Sequence, residues 1–111
     1  MKRFRFVAAS LVLAASAFVT SAQQPAMGMA TALNFQSDGA GKVAATGDFV
    51  MIDDEVNPIA KALRAHGIAI TALHSHMIHG TPVLYFMHFW AHDTGANVAV
   101  GLKAAVDLLA K

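Results

Sequence analysis

Thr71-Ala72-Leu73-His74-Ser75-His76-Met77-Ile78-His79-Gly80-Thr81-Pro82-Val83-Leu84-Tyr85-Phe86-Met87-His88-Phe89-Trp90-Ala91-His92 decides how the whole chain folds. It carries five of the six histidines. Two apolar runs of strand length flank a His-Gly-Thr-Pro break, the pattern of a β-hairpin with a loop of about three to five residues. Strand side chains alternate between faces, so His74 and His76 are expected on one face, about 6.5–7 Å apart along the strand. His88 shares its parity with Leu84, Phe86 and Trp90. An even register, for example His74 opposite His88 or His76 opposite Phe86, brings three imidazoles together, and a one-residue slip sends His88 to the other side. Met77 and Met87 have the opposite parity, which argues against a mixed His/Met copper site.

Outward from this hairpin, each flank ends in a helix. Asp53-Asp54-Glu55 places acids at the positive end of a helix whose stripe is Val56, Ile59, Ala60 and Leu63; Gly67 is its natural stop. Pro58 is expected at N1 or within the first turn, without a kink. His66 falls in the last turn, as a dipole-stabilised surface group. After the hairpin, Asp93 or Thr94 caps a final helix to about Ala110, with Val98, Leu102, Ala105, Val106 and Leu109 inward. Before the first helix, Met29 to Phe35 and Lys42 to Ile52 read as two strands around the turn cluster Gln36 to Gly41, with a bulge or bend at Gly47-Asp48. The order is ββαββα. It predicts an α+β fold, a four-stranded, mostly antiparallel sheet with two helices on one face in a ferredoxin-like sandwich.

The hairpin is apolar on both sides. Leu73, Met77, Val83, Tyr85, Met87 and Phe89 fall on one face, and Ile68, Ile70, Ile78, Leu84, Phe86 and Trp90 join the histidines on the other. Two helices cover one face, so the histidine face is expected to meet a second copy of the domain in a homodimer.

The 111 residues amount to one domain. Lys2, Arg3 and Arg5, the apolar run Phe6 to Val19 and the small residues Thr20-Ser21-Ala22 read as a signal peptide cleaved after Ala22, too short to span a membrane. A periplasmic or secreted protein follows, with residues 23–28 a flexible tail and 29–111 the domain. Cleavage removes three of the eight cations and leaves five against seven acids, so the mature net charge is about −2 with histidine neutral. No basic patch suggests nucleic acid. The chain has no cysteine, so neither disulfides nor thiolate ligands are available.

Neutral imidazoles suit zinc, copper, nickel and iron. His74, His76 and His88 are the proposed ligands, with His79 or His92 as a possible fourth, zinc or copper as the ion, and Asp48 or Glu55 as an acidic ligand or outer partner. A second reading is a metal-free pocket lined by Phe86 and Trp90, in which His74 or His88, oriented by Asp48 or Glu55, binds a small ligand or moves a proton. Nothing specifies a nucleophile. A third reading is structural, with the histidines as satisfied interface groups.

The segments Gly47-Asp48-Phe49-Val50, Asp54-Glu55-Val56-Asn57-Pro58, Leu63-Arg64-Ala65-His66-Gly67-Ile68, Thr71-Ala72-Leu73-His74-Ser75-His76-Met77 and Phe86-Met87-His88-Phe89-Trp90 resemble the LppY/LpqO family of exported bacterial proteins. The resemblance runs from about Met27 to Leu109 and implies no activity. Relatives that are lipoproteins carry a lipidated cysteine, so a soluble exported form is implied here. Many relatives hold two such units in one chain, which fits the expected homodimer.

Overall fold

The computed structural model describes residues 30–110. The expected signal peptide and tail lie outside the described residues. Six elements follow in the order β1 (Ala32–Ser37), β2 (Lys42–Met51), α1 (Asp53–Ala65), β3 (Ala69–His74), β4 (Tyr85–Thr94) and α2 (Gly95–Val106). The strands form one antiparallel sheet in the order β1-β2-β4-β3. β2 and β3 each run antiparallel to β4 and so parallel to each other, joined through α1 with β4 between them. This is the split βαβ unit of ferredoxin-like sandwiches. The α+β architecture is the one expected from the sequence.

Alternation builds the core. Ala45, Phe49 and Met51 of β2 and Met87, Phe89 and Ala91 of β4 face Ile59 and Leu63 of α1 and Val98, Leu102 and Ala105 of α2, all buried. Each large side chain taken out of water contributes about 1.5–3 kcal/mol. Phe49 and Phe89 meet with centroids 5.5 Å apart and planes tilted by 52°, a favourable aromatic geometry. Thr94 caps α2 by accepting from the Asn97 backbone N–H. At the start of α1, Glu55 accepts from the Ile52 N–H at 2.8 Å and also from the Ala110 N–H, fastening the helix entry to the chain's last described turn.

Four sequence expectations need correction. The connection between β3 and β4 is not a short loop: it spans the ten residues Ser75 to Leu84, and His76 lies in it rather than on the strand. Ser75 instead closes a local turn, its hydroxyl donating to the Met77 carbonyl at 3.0 Å, so side chain and backbone compete with strand pairing there. The bulge is not at Gly47, where β2 pairs without interruption, but in β3: Ile70 opposes Phe89 and Ala72 opposes His88, leaving Thr71 as the extra residue. This bulge lets Ile70 and Leu73 both meet core-face partners, Phe89 and Met87, while Ile68 is buried in the core. The second apolar face therefore loses Ile68 and Ile70. Finally, the acids occupy the first turn of α1 themselves, so Pro58 falls in the second turn. It is exposed there, and the carbonyl deprived of its N–H belongs to solvent-facing Asp54.

Candidate functional site

The sheet face opposite the helices carries Thr46, Asp48 and Val50 of β2 and Phe86, His88, Trp90 and His92 of β4. Register arranges them in rows. Asn34, Thr46, Trp90 and Ala69 make one row; Ala32, Asp48, His88 and Ala72 make the next; Val50, Phe86 and His74 make the third. The even register anticipated for the hairpin holds next to the β3–β4 connection, from Ala72 to His74, and it puts His74 diagonal to His88 on one face.

Their Nε2 atoms lie 2.8 Å apart. One ring must donate and the other accept, so one of the two Nε2 atoms presents its lone pair to the other. On the far side of His88, its Nδ1 lies 3.9 Å from Asp48 Oδ1. That oxygen is buried and has no hydrogen-bond partner. A buried acceptor without a donor costs about 1–3 kcal/mol, and the nearby His88 Nδ1–H is the group able to offset it with a modest ring shift. A proton on Nδ1 leaves a lone pair on Nε2, facing His74. With the ring shifted to close that 3.9 Å gap, Asp48 would favour the tautomer of His88 whose Nε2 can ligate an ion.

His76 arrives by a different route. Its ring lies on Phe86, with centroids 3.8 Å apart and planes within 6°, and 5.0 Å from the His74 ring. The stack covers Phe86, which is only 2% exposed although it belongs to the open face. The histidines thus form a pair with a third ring beside it. Among the described residues, no group of three or more His, Cys, Asp or Glu side chains stands in ion-holding geometry.

Three other sequence candidates lie elsewhere. Glu55 bonds the ends of the helix layer on the opposite side. His79 is exposed in the long connection. His92 is four residues beyond His88, about 13 Å along β4, where its Nε2 pairs with Asp38 Oδ2 at 2.9 Å. It therefore cannot share an ion with His88. The sequence reading missed Asp38 as a histidine partner, and missed Asn34, Thr46 and Thr71, which border an open depression of about 410 Å³ beside Asp48, His88 and Trp90. Parity on β1 and β2 could have found Asn34 and Thr46; nothing local marked Thr71 as a bulge.

The Asp38 contact has a pH signature. A hydrogen bond from the Ala40 N–H, then one from His92, hold the Asp38 carboxyl below its ordinary value of 3.8. The Thr94 N–H and then the Asn97 side chain do the same for Asp93. A carboxylate with a depressed folded pKa contributes stability that is present above the unfolded value and is lost as pH falls through the folded one. Stability is therefore expected to decline below about pH 4 through these two groups. In Asp38→Asn, thermal melts between pH 2 and 5 should show a shallower acid slope; a slope equal to the parent's would discard Asp38 as a contributor.

The fold and its open face define a small α+β domain that displays imidazoles on a sheet rather than in a cleft between domains. The family described as Domain of Unknown Function (DUF1259) matches residues 14–108, and the chain belongs to it. The chain has no match among curated proteins or solved structures. No helix among the described residues is long and apolar enough to cross a membrane.

Proposed function

We propose that this chain is an exported domain of the LppY/LpqO type that binds a transition-metal ion, zinc or copper, through His74 and His88, with His76 as third ligand and an open fourth position. The observation that carries the reading is the 2.8 Å approach of two Nε2 atoms with an unpartnered carboxylate oxygen behind one of them. Two imidazoles on a tetrahedral ion at about 2.0–2.1 Å stand roughly 3.3 Å apart. The pair needs to open by about half an ångström to admit one, a rotation available to side chains that are not locked in the core. His76 sits on a connection rather than a strand, so swinging its ring off Phe86 breaks no ladder hydrogen bond. The basic and apolar pattern of residues 1–22 supports export, where no cysteine is needed and histidine is the available borderline ligand.

Metal content measured by mass spectrometry on the mature protein, purified without affinity tag or chelator, tests the reading. About one ion per chain is expected. No ion after reconstitution with zinc, copper and nickel in turn would overturn it.

The second copy proposed as partner rests on narrower ground than the sequence implied. With Phe86 covered and Ile68 and Ile70 in the core, four of the ten large apolar side chains exposed among the described residues, Leu73, Met77, Ile78 and Val83, gather around the β3–β4 connection, with Ile78 93% exposed. A homodimer through this end of the sheet buries them and leaves the rows of the open face accessible. Light scattering is expected to give twice the monomer mass, and a monomer persisting at high concentration would remove the partner.

A further inference from the structure

We propose that the depression beside His88 is a binding site for a neutral, polyhydroxylated ligand of one or two rings, a saccharide by chemical class. The site is formed where large and small residues alternate along the rows. Ala32, opposite Asp48 on β1, is too short to fill the space beside Asp48 and His88, so the sheet surface sinks there. At about 410 Å³ it is at the small end of the range for ligand pockets, about 300–1,000 Å³.

Its lining has two kinds of surface. Trp90 is 46% exposed, a large indole kept partly in water on a paired strand. Around it stand the Asn34 amide, the Thr46 and Thr71 hydroxyls and the Asp48 carboxylate, each able to accept hydrogen bonds and all but the carboxylate able to donate them as well. A pyranose ring presents the matching pair of surfaces: a C–H face for an aromatic plate, and a rim of hydroxyls that both donate and accept. The lining contains no lysine or arginine, the side chains that recognise phosphate or carboxylate, which argues against an anionic ligand. Its one carboxylate has its buried oxygen turned toward His88, which argues against a primary role in holding an ammonium group. The wide, open mouth does not enclose a lipid chain. Asn34, Thr46 and Trp90 sit on strands held by continuous ladder pairing, so little ordering cost accompanies binding.

This site shares His88 with the proposed ion site but does not require an ion. Trp90 is the chain's only tryptophan, so its fluorescence reports on this position alone. The mature full-length protein, held in a chelator at neutral pH, is titrated with maltose, cellobiose, xylobiose and diacetylchitobiose, and with glucose 6-phosphate, galacturonate and glucosamine as charged comparisons. Saturable change with at least one neutral disaccharide is expected, weakened about tenfold or more in Thr46→Val and in Asn34→Ala, with circular dichroism confirming both folds. No saturable response to any neutral sugar, a response confined to the charged ones, or equal affinity in both folded variants would overturn the proposal. Loss of metal content in the parent protein leaves these outcomes unchanged, so the two readings fail separately.

Discussion

His88→Ala is expected to reduce bound metal from about one ion per chain to less than about a tenth, the largest effect of any substitution on the open face. His88 is the one side chain that touches both halves of the arrangement, with Nε2 against His74 and Nδ1 toward Asp48. Its removal takes away a proposed ligand and the imidazole nearest the buried carboxylate oxygen. Asp48→Asn should act through His88 instead, weakening affinity by about 10–100-fold while leaving stoichiometry at saturating metal intact, as outer partners of ligating histidines do. His76→Ala should lie between the two, because its ring must first leave Phe86. The measurement is metal content after dialysis, together with competition against a chromophoric chelator, on variants whose circular dichroism matches the parent. His88 lies at a half-exposed position on a strand whose register is fixed by core neighbours, so its loss should not unfold the domain. Full loading of His88→Ala would remove the site.

The ordering of effects depends on features with unequal visibility in sequence. The element order and the helix stripes were legible because they repeat: Val56, Ile59, Ala60 and Leu63 state a helical period four times over, and Phe49, Met51, Met87, Phe89 and Ala91 state a strand period. The His74–His88 pairing was legible as a conditional, given an even register. What was hidden depends on single residues with no periodic support. Thr71 is an ordinary strand residue by composition, yet as a bulge it determines that Ile70 joins the core and that the second apolar face shrinks to Trp90 and a covered Phe86. Ser75 ends β3 through one hydroxyl contact, which moves His76 from strand to connection. Asp38, in a turn rich in glycine, meets His92 only because β2 and β4 pair in one particular register, a long-range fact that no window of sequence contains.

Gly47 shows the same contrast from the side of stability. Its position in the middle of β2 suggested a bulge, but the strand is regular there, and the reason for glycine is contact. A Cβ built at Gly47 would lie 2.1 Å from the Ala32 carbonyl oxygen and 2.8 Å from the Phe89 ring. The ring offers some give; the carbonyl belongs to β1, which pairs with β2 from Ala32 to Ser37. Gly47→Ala must therefore displace an edge strand, and we expect a loss of about 3 kcal/mol, the upper end of overpacking costs. For a domain of this size that lowers the melting temperature by about 12–24 °C. Gly101 provides the comparison. Its Cβ would meet His66 Cβ and Ile68 Cδ1 at 2.8 Å, both side-chain atoms and one a flexible end, so Gly101→Ala should cost clearly less. If the backbone oxygen governs, trimming the ring in a Gly47→Ala/Phe89→Leu double variant restores none of the loss, and the two effects add. Recovery in the double variant would place the constraint in the Phe89 ring instead. Because β1 also supplies Asn34, peeling it away should weaken any ligand held beside Trp90 while leaving unchanged any metal loading through His74 and His88, on β3 and β4.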